Sequence, residues 1–295
     1  MRRPSHGRTA ARHLALLAAI TWWGASTPTA HAQVRSAEPP ADRWRLACRL
    51  ASYGKFQSQA WSHLPTLGVR YLFLPVPDEP EVAAVEEKLK AHRLSPLVVR
   101  GHGDLGEPKC LEGLSRQLAT CERMGVRYLF FSPRHTGVAK EAAYERLRQA
   151  GDIARRHGVT IALETHPDLG TNAEVHLETM RRVDHPNVRV NFDTGNITYY
   201  NAGADVVAEL KKVIDYVATV ELKDHGGRPK TWDFPALGQG KLDLKGVIAV
   251  LREHHYAGPI TIEVEGVEGK PWNEAETRQA VADSVAYLRR LGAFE

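Results

Sequence analysis

The sequence predicts a single (β/α)8 TIM barrel, an α/β fold. Three observations carry that expectation. A short apolar run, a polar turn and an amphipathic segment recur about eight times over roughly 260 residues. The clearest copies, LGVRYLFLP (67–75) and MGVRYLFFSP (124–133), stand 57 residues apart, or two units of about 30 residues each. Finally, the first apolar run, RLACRLA, leads into SYGKFQSQ and not into a glycine-rich dinucleotide or phosphate loop. That last point ranks the barrel above a doubly wound open sheet.

Residues 1–32 differ in kind from the rest of the chain. Arg2, Arg3, Arg8 and Arg12 precede the apolar run LALLAAITWWGA, and Ala30-His31-Ala32 fits a small-x-small cleavage site. This is the pattern of a cleaved secretory signal peptide, with an apolar stretch too short to span a bilayer. It implies a periplasmic or secreted protein with no membrane span after processing. A polar leader, QVRSAEPPADR (33–43), then precedes the barrel at 44–295.

The expected strands, in order, are RLACRLA (45–51), VRYLFLP (69–75), PLVVRG (96–101), VRYLFFS (126–132), VTIALE (159–164), VRVNFD (188–193), VATVEL (217–222) and PITIEV (259–264). Between them, apolar residues spaced i, i+3, i+4 predict helices over 81–92, 144–158 and 244–255, and a last helix over 276–292.

Charge and cysteine content narrow the function classes. The chain carries a formal charge of +4, but residues 1–32 hold four Arg and no Asp or Glu, so the remainder is near neutral. With no Lys/Arg tract beyond the leader, a nucleic-acid partner lacks its electrostatic support. The three cysteines imply no disulfide framework, since Cys110 and Cys121 fall about three helical turns, ~16 Å, apart. There is no Cys/His cluster of zinc type, so any metal must be held by carboxylates and imidazoles.

In a TIM barrel the site lies at the C-terminal ends of the strands. The fifth expected strand ends at Glu164 and His166, the sixth at Asp193, the seventh in ELKDH (Glu221, Lys223, Asp224, His225) and the eighth at Glu263 and Glu265, while His102 comes just after the third. A single acidic residue at such a point is most simply a helix N-cap or a turn residue. Four successive strands ending in carboxylates repel one another unless a cation lies among them. A divalent ion is one solution, with Mn²⁺, Mg²⁺ or Co²⁺ suited to oxygen ligands and Zn²⁺ also admissible. Neutralisation by Lys223, Arg100 and the histidines is the other.

The segments ALETH, NFDTGN, ELKDH and GQGKLDLKGVIAVLREHHYAGPITIEVEG, with the βα rhythm around them, resemble the xylose-isomerase-like TIM barrels, the sugar phosphate isomerase/epimerase family. The resemblance spans essentially the whole chain after the leader. It implies one divalent metal, commonly manganese, at Glu164, Asp193, Glu221 and Glu263. The family usually reads HLKD where this chain reads ELKD, so Glu221 stands in the place of a histidine ligand, with His225 or His166 as alternative sources of an imidazole. The resemblance further implies proton transfer next to a carbonyl through a metal-bound enediolate, with Glu164 and Glu263 as the two catalytic carboxylates. His166, Lys223, His102, Arg228 and Trp232 are the expected substrate-binding residues. Lys223 can polarise a substrate oxygen or pair with Asp224, and Tyr199, Tyr200 and Trp232 can wall a sugar ring or serve packing alone.

The expected function is therefore an exported, metal-dependent sugar isomerase or epimerase. Export and the lack of a phosphate loop favour an unphosphorylated carbohydrate. Two readings stay open beside it: lyase or hydratase chemistry on a keto-sugar or oxidised glycoside at the same site, and a catalytically inactive carbohydrate-binding barrel. A DNA-repair endonuclease on this fold would need more metal ligands and a basic face. The resemblance also allows a homo-oligomer, and no segment marks an interface.

Overall fold

Eight short strands pair in parallel and close on themselves. In the computed structural model, which describes residues 44–294, these are β1 (Leu46–Arg49), β2 (Tyr71–Pro75), β3 (Ser95–Arg100), β4 (Tyr128–Phe131), β5 (Thr160–Glu164), β6 (Val188–Asp193), β7 (Val217–Leu222) and β9 (Ile260–Ile262). They lie side by side in chain order, and β9 hydrogen-bonds both β7 and β1, so the barrel has no open edge. Two further short strands, β8 (Asp233–Phe234) and β10 (Gly266–Val267), pair antiparallel outside the barrel. The expected signal peptide (1–32) and leader (33–43) lie outside the described residues. Among the described residues no helix is long and apolar enough to cross a membrane.

The helices are α1 (Gln57–Thr66), α2 (Val82–His92), α3 (Cys110–Arg123), α4 (Lys140–Arg156), α5 (Ala173–Val183), α6 (Thr194–Tyr200), α7 (Val206–Val213), α8 (Leu244–Glu253) and α9 (Glu274–Arg290). Helix α9 starts two residues before its expected bound because Asn273 caps it. The Asn273 side chain accepts from the Glu276 amide, and the Glu276 side chain accepts from the Asn273 amide in return. The first strand is shorter than expected: residues Leu50–Phe56 turn as a 3-10 segment, so Arg49 ends the strand. Cys110 and Cys121 do share one helix, and Cys48, Cys110 and Cys121 are all free and buried.

Alternation along the strands separates two apolar layers. Leu46 and Cys48, Leu72 and Leu74, Leu129 and Phe131, Val190 and Phe192, and Val220 and Leu222 belong to one large core under the helices. Ala47, Phe73, Val98 and Phe130 form a second, smaller cluster, which is the inside of the barrel on the β1–β4 side. By the same parity Ala162, Asn191, Thr219 and Thr261 fill the inside on the other half. Thr219 donates to the Asn191 side-chain oxygen at 2.6 Å, pairing two of the polar atoms buried there. One half of the interior is thus aromatic and apolar, the other small and polar, and the next inward residue on each strand meets both at the C-terminal mouth.

Candidate active site

Counting two residues on from Ala47, Ala162, Asn191, Thr219 and Thr261 leads to Arg49 on β1, Glu164 on β5, Asp193 on β6, Glu221 on β7 and Glu263 just past β9. Asp193 and Glu221 are direct register partners. Asp193, Glu221 and Glu263 are all buried, and one carboxylate oxygen from each lies within 4.8 Å of the others.

Each member of this trio is fixed locally. The Asp193 Oδ1 accepts from the amides of Gly195 and Asn196, capping α6, which leaves Oδ2 without a hydrogen-bond partner among the described residues. The helix-cap and ligand roles of this residue are therefore compatible. Thr165 steadies the same strand end through the Asp193 amide (3.1 Å), while Asn196 donates back to the Thr165 carbonyl (3.0 Å). Glu221 Oε1 accepts from Arg49 Nη1 at 3.1 Å, whereas its Oε2 has no hydrogen-bond partner among the described residues. Glu263 is flanked by two cations: its Oε1 lies 2.5 Å from Arg49 Nη1 and its Oε2 accepts from Lys223 Nζ at 3.1 Å.

Those two cations are themselves anchored. The Arg49 guanidinium lies 4.9 Å from the Phe73 ring centre and 5.1 Å from that of Phe130, on the aromatic half of the interior. The Lys223 ammonium sits 4.2 Å over the Phe234 ring and ion-pairs with Glu265 as well as Glu263. Gly195 gives the lysine stem room, since a Cβ there would stand 2.7 Å from Lys223 Cγ.

The charges divide the carboxylates. Burial and the neighbouring Glu263 charge push Glu221 well above the usual carboxylate range, against the opposing pull of Arg49. Burial pushes Asp193 up to about 7, with Lys223 opposing. Burial acts the same way on Glu263, but Arg49 and Lys223 outweigh it and hold its carboxyl below the ordinary range. Burial works against both cations too, yet the surrounding carboxylates keep Arg49 and Lys223 firmly protonated.

The donor set fits a divalent ion. Among the described residues, Asp193 Oδ2 and Glu221 Oε2, both in the trio, are buried with neither a hydrogen-bond nor an ion-pair partner, whereas Glu265 Oε2 ion-pairs with Lys223. Glu164, Asp193, Glu221, Glu263 and Glu265 also outnumber the two buried cations near them, an excess that adds to burial in raising Glu221 and Asp193 and that a divalent ion would relieve. Lys223 does neutralise carboxylates from within and the Arg100 charge also acts on Glu263, as one reading of the sequence expects, but Arg49 joins them rather than the histidines.

The remaining expected site residues fall into three groups. Glu164 ends β5 half-buried, outside the compact trio but close enough for its charge to act on Arg49 and Asp193. His166 stands with its ring 5.2 Å from Tyr200, its Nδ1 on the Pro167 carbonyl. Trp232, 42% exposed, donates to the Glu265 carbonyl and packs edge-on against Tyr199 and Phe234, so Tyr199, Tyr200 and Trp232 do form one aromatic wall. His102 and Arg228 are exposed, His102 being held through its backbone by Gln117.

Two expectations are corrected. Lys223 does not pair with Asp224, whose carboxylate instead accepts amides from His225, Gly238, Gly240 and Leu242. His225 does not offer an imidazole to the trio. Its Nδ1 meets Thr198 at 2.8 Å, its Nε2 meets the Thr231 carbonyl at 3.1 Å, and its ring stacks on Phe234. The strand ends at Leu222, so the two-residue alternation that would aim His225 inward no longer applies. Arg49, by contrast, is absent from the expected site, because the first strand is expected to run on to Ala51 and only the 3-10 turn at Leu50–Phe56 puts this residue at a strand end.

Known proteins share this arrangement of chain and fold. The inosose dehydratase of Salmonella typhimurium is 30% identical over 151 residues, covering 46% of this chain and 49% of that protein, so the chain spans about half the length of this relative. The L-ribulose-5-phosphate 3-epimerase of Salmonella paratyphi C is 25% identical, with 68% of each chain covered. A xylose isomerase-like TIM barrel protein from Mycobacterium smegmatis, solved in complex with magnesium, superposes with a TM-score of 0.68 at 15% identity, covering 86% of this chain and 98% of its own. The profile of one family matches residues 62–291, and by that match the chain belongs to the xylose isomerase-like TIM barrels.

Proposed function

We propose that the protein is a divalent-cation-dependent sugar isomerase or epimerase that moves a proton next to a carbonyl. The observation that carries this reading is the buried trio Asp193, Glu221 and Glu263, with two carboxylate oxygens that find no partner within the described residues. Asp193, Glu221 and Glu263 would hold the ion, Mn²⁺ being the first candidate and Mg²⁺, Co²⁺ and Zn²⁺ the others. A bound divalent ion supplies Lewis-acid polarisation of a substrate carbonyl.

The chain's own groups do the rest. Glu263, ion-paired to Arg49 and Lys223, is kept in the charged form that a base needs. Glu164, at the end of β5, would return the proton. Lys223 binds a substrate oxygen from its seat beside Glu263. His166 and the wall of Tyr199, Tyr200 and Trp232 orient an unphosphorylated sugar ring, and His102 and Arg228 contact its outer hydroxyls. The amino-terminal pattern supports action outside the cytoplasm, and mature protein that does not begin after Ala32 would argue against that.

A second reading is favoured by the inosose dehydratase relative. If the carbon beside the abstracted proton carries a hydroxyl or glycosidic oxygen, the same proton removal ends in elimination. Both readings are tested by incubating Mn²⁺-loaded protein with free ketoses and 3-keto-glycosides in deuterated water. Deuterium at the carbon next to the carbonyl with an epimeric product supports the first, and an unsaturated product with a released oxygen supports the second. Absence of exchange on every compound sinks both and leaves a carbohydrate-binding barrel.

A further inference from the structure

We infer that Arg49 is a specificity-determining residue of the cation site: a tethered positive charge that sets how tightly the carboxylate trio holds a divalent ion. The inference rests on the reading of Asp193, Glu221 and Glu263 as that site.

Three observations carry it. First, the Arg49 guanidinium contacts two of the three members, Glu221 at 3.1 Å and Glu263 at 2.5 Å, so its charge acts at the ligand atoms themselves. Second, the guanidinium lies over the adjoining rings of Phe73 and Phe130 and its side chain is only 12% exposed, so its charge is seated inside the barrel mouth beside the ligands. Third, each of these two carboxylates meets Arg49 through one oxygen only. Among the described residues, Glu221 Oε2 and Asp193 Oδ2 have no hydrogen-bond partner. Glu221 and Asp193 are thus held in place with one oxygen each to spare, while Glu263 is engaged by Arg49 on one oxygen and Lys223 on the other.

The pairing also accounts for the acidic residue at the end of β7. A glutamate there adds one negative charge relative to an imidazole, and Arg49 on β1 adds one positive charge against the same atom. The two together leave the charge of the site as a neutral ligand would. Removing either one alone unbalances it in opposite directions, and removing both restores it.

Four proteins test this: the wild type, Arg49→Met, Glu221→Gln and Arg49→Met/Glu221→Gln. Methionine keeps an unbranched stem against the two rings and removes the charge. Each is titrated with Mn²⁺, and the free ion is followed by its electron paramagnetic resonance signal. Loss of a full charge at the ligand atoms should change affinity about tenfold or more. Arg49→Met is expected to bind Mn²⁺ more tightly by that factor, Glu221→Gln more weakly, and the double variant within about threefold of wild type. If Arg49→Met alone does not fold, the comparison of Glu221→Gln with the double variant decides the matter. Affinity that is unchanged or weaker on removing Arg49 in every background that folds overturns the inference while leaving the cation site intact. Failure of all four proteins to bind Mn²⁺ overturns the cation reading itself.

Discussion

Arg49, the last residue of the first strand, and Glu221, 172 positions later on the seventh, form a buried ion pair at 3.1 Å across the mouth of the barrel. A residue that neutralises two buried carboxylates is also part of what holds the mouth together. Deleting one partner of such a group strands the others in a medium of low polarity, at a cost of about 3–5 kcal/mol. Arg49→Ala is therefore expected to lower the urea unfolding free energy by that amount at pH 7. A loss below about 1 kcal/mol would mean that water reaches Glu221 and Glu263 freely.

Asp224 makes a separate prediction, because its carboxylate organises the loop after the seventh strand. It accepts from His225 and Leu242 on one oxygen and from Gly238 and Gly240 on the other. Asp224→Ala leaves those donors unmatched and should cost about 2–4 kcal/mol. Asp224→Asn keeps one acceptor oxygen and should cost roughly half as much. Equal losses in the two variants, measured by urea denaturation, would show that charge and not acceptor geometry matters there.

The barrel is legible in the sequence because the apolar runs alternate cleanly with amphipathic helices. Strands β6 and β7 have the bounds read from VRVNFD and VATVEL. The carboxylates at their ends are legible for the same reason: Asp193 and Glu221 break an apolar pattern where the barrel opens. Long-range pairing and local backbone geometry are not encoded in spacing. Arg49 lies inside an expected strand running to Ala51, and only the 3-10 turn at Leu50–Phe56 makes it a rim residue. Its pairing with Glu221 joins distant parts of the chain. His225 departs from its expected place because strand alternation stops at Leu222, and beyond that point its ring turns to Thr198 and Thr231.

The aromatic wall offers a test of substrate binding that leaves the fold almost untouched. Trp232 is 42% exposed and the one large exposed apolar side chain among the described residues. Trp232→Ala should change unfolding free energy by no more than about 1 kcal/mol. If a sugar ring stacks on it, the loss is worth about 0.5–1.5 kcal/mol, and KM should rise about threefold to tenfold with kcat nearly constant. An unaltered KM would assign Trp232 to packing against Tyr199 and Phe234 alone.

His176 predicts how the fold responds to acid. It is wholly buried on α5, its Nε2 lies 3.2 Å from the Thr165 hydroxyl, and burial pushes its pKa from the ordinary 6.5 down to about 3. The unfolded chain therefore takes up a proton at this residue as pH falls below 6.5, while the folded chain does not until about 3. With more protons on the unfolded state, stability falls as pH falls through that window and is intact above it. Between pH 7 and pH 5 the contribution amounts to about 2 kcal/mol. His176→Gln removes the titrating group but leaves every other carboxylate and histidine as in wild type. Urea unfolding of both proteins at the two pH values should show wild type losing about 2 kcal/mol more than the variant. Equal losses would mean that the ring becomes protonated in place, with Thr165 and its neighbours yielding to admit water.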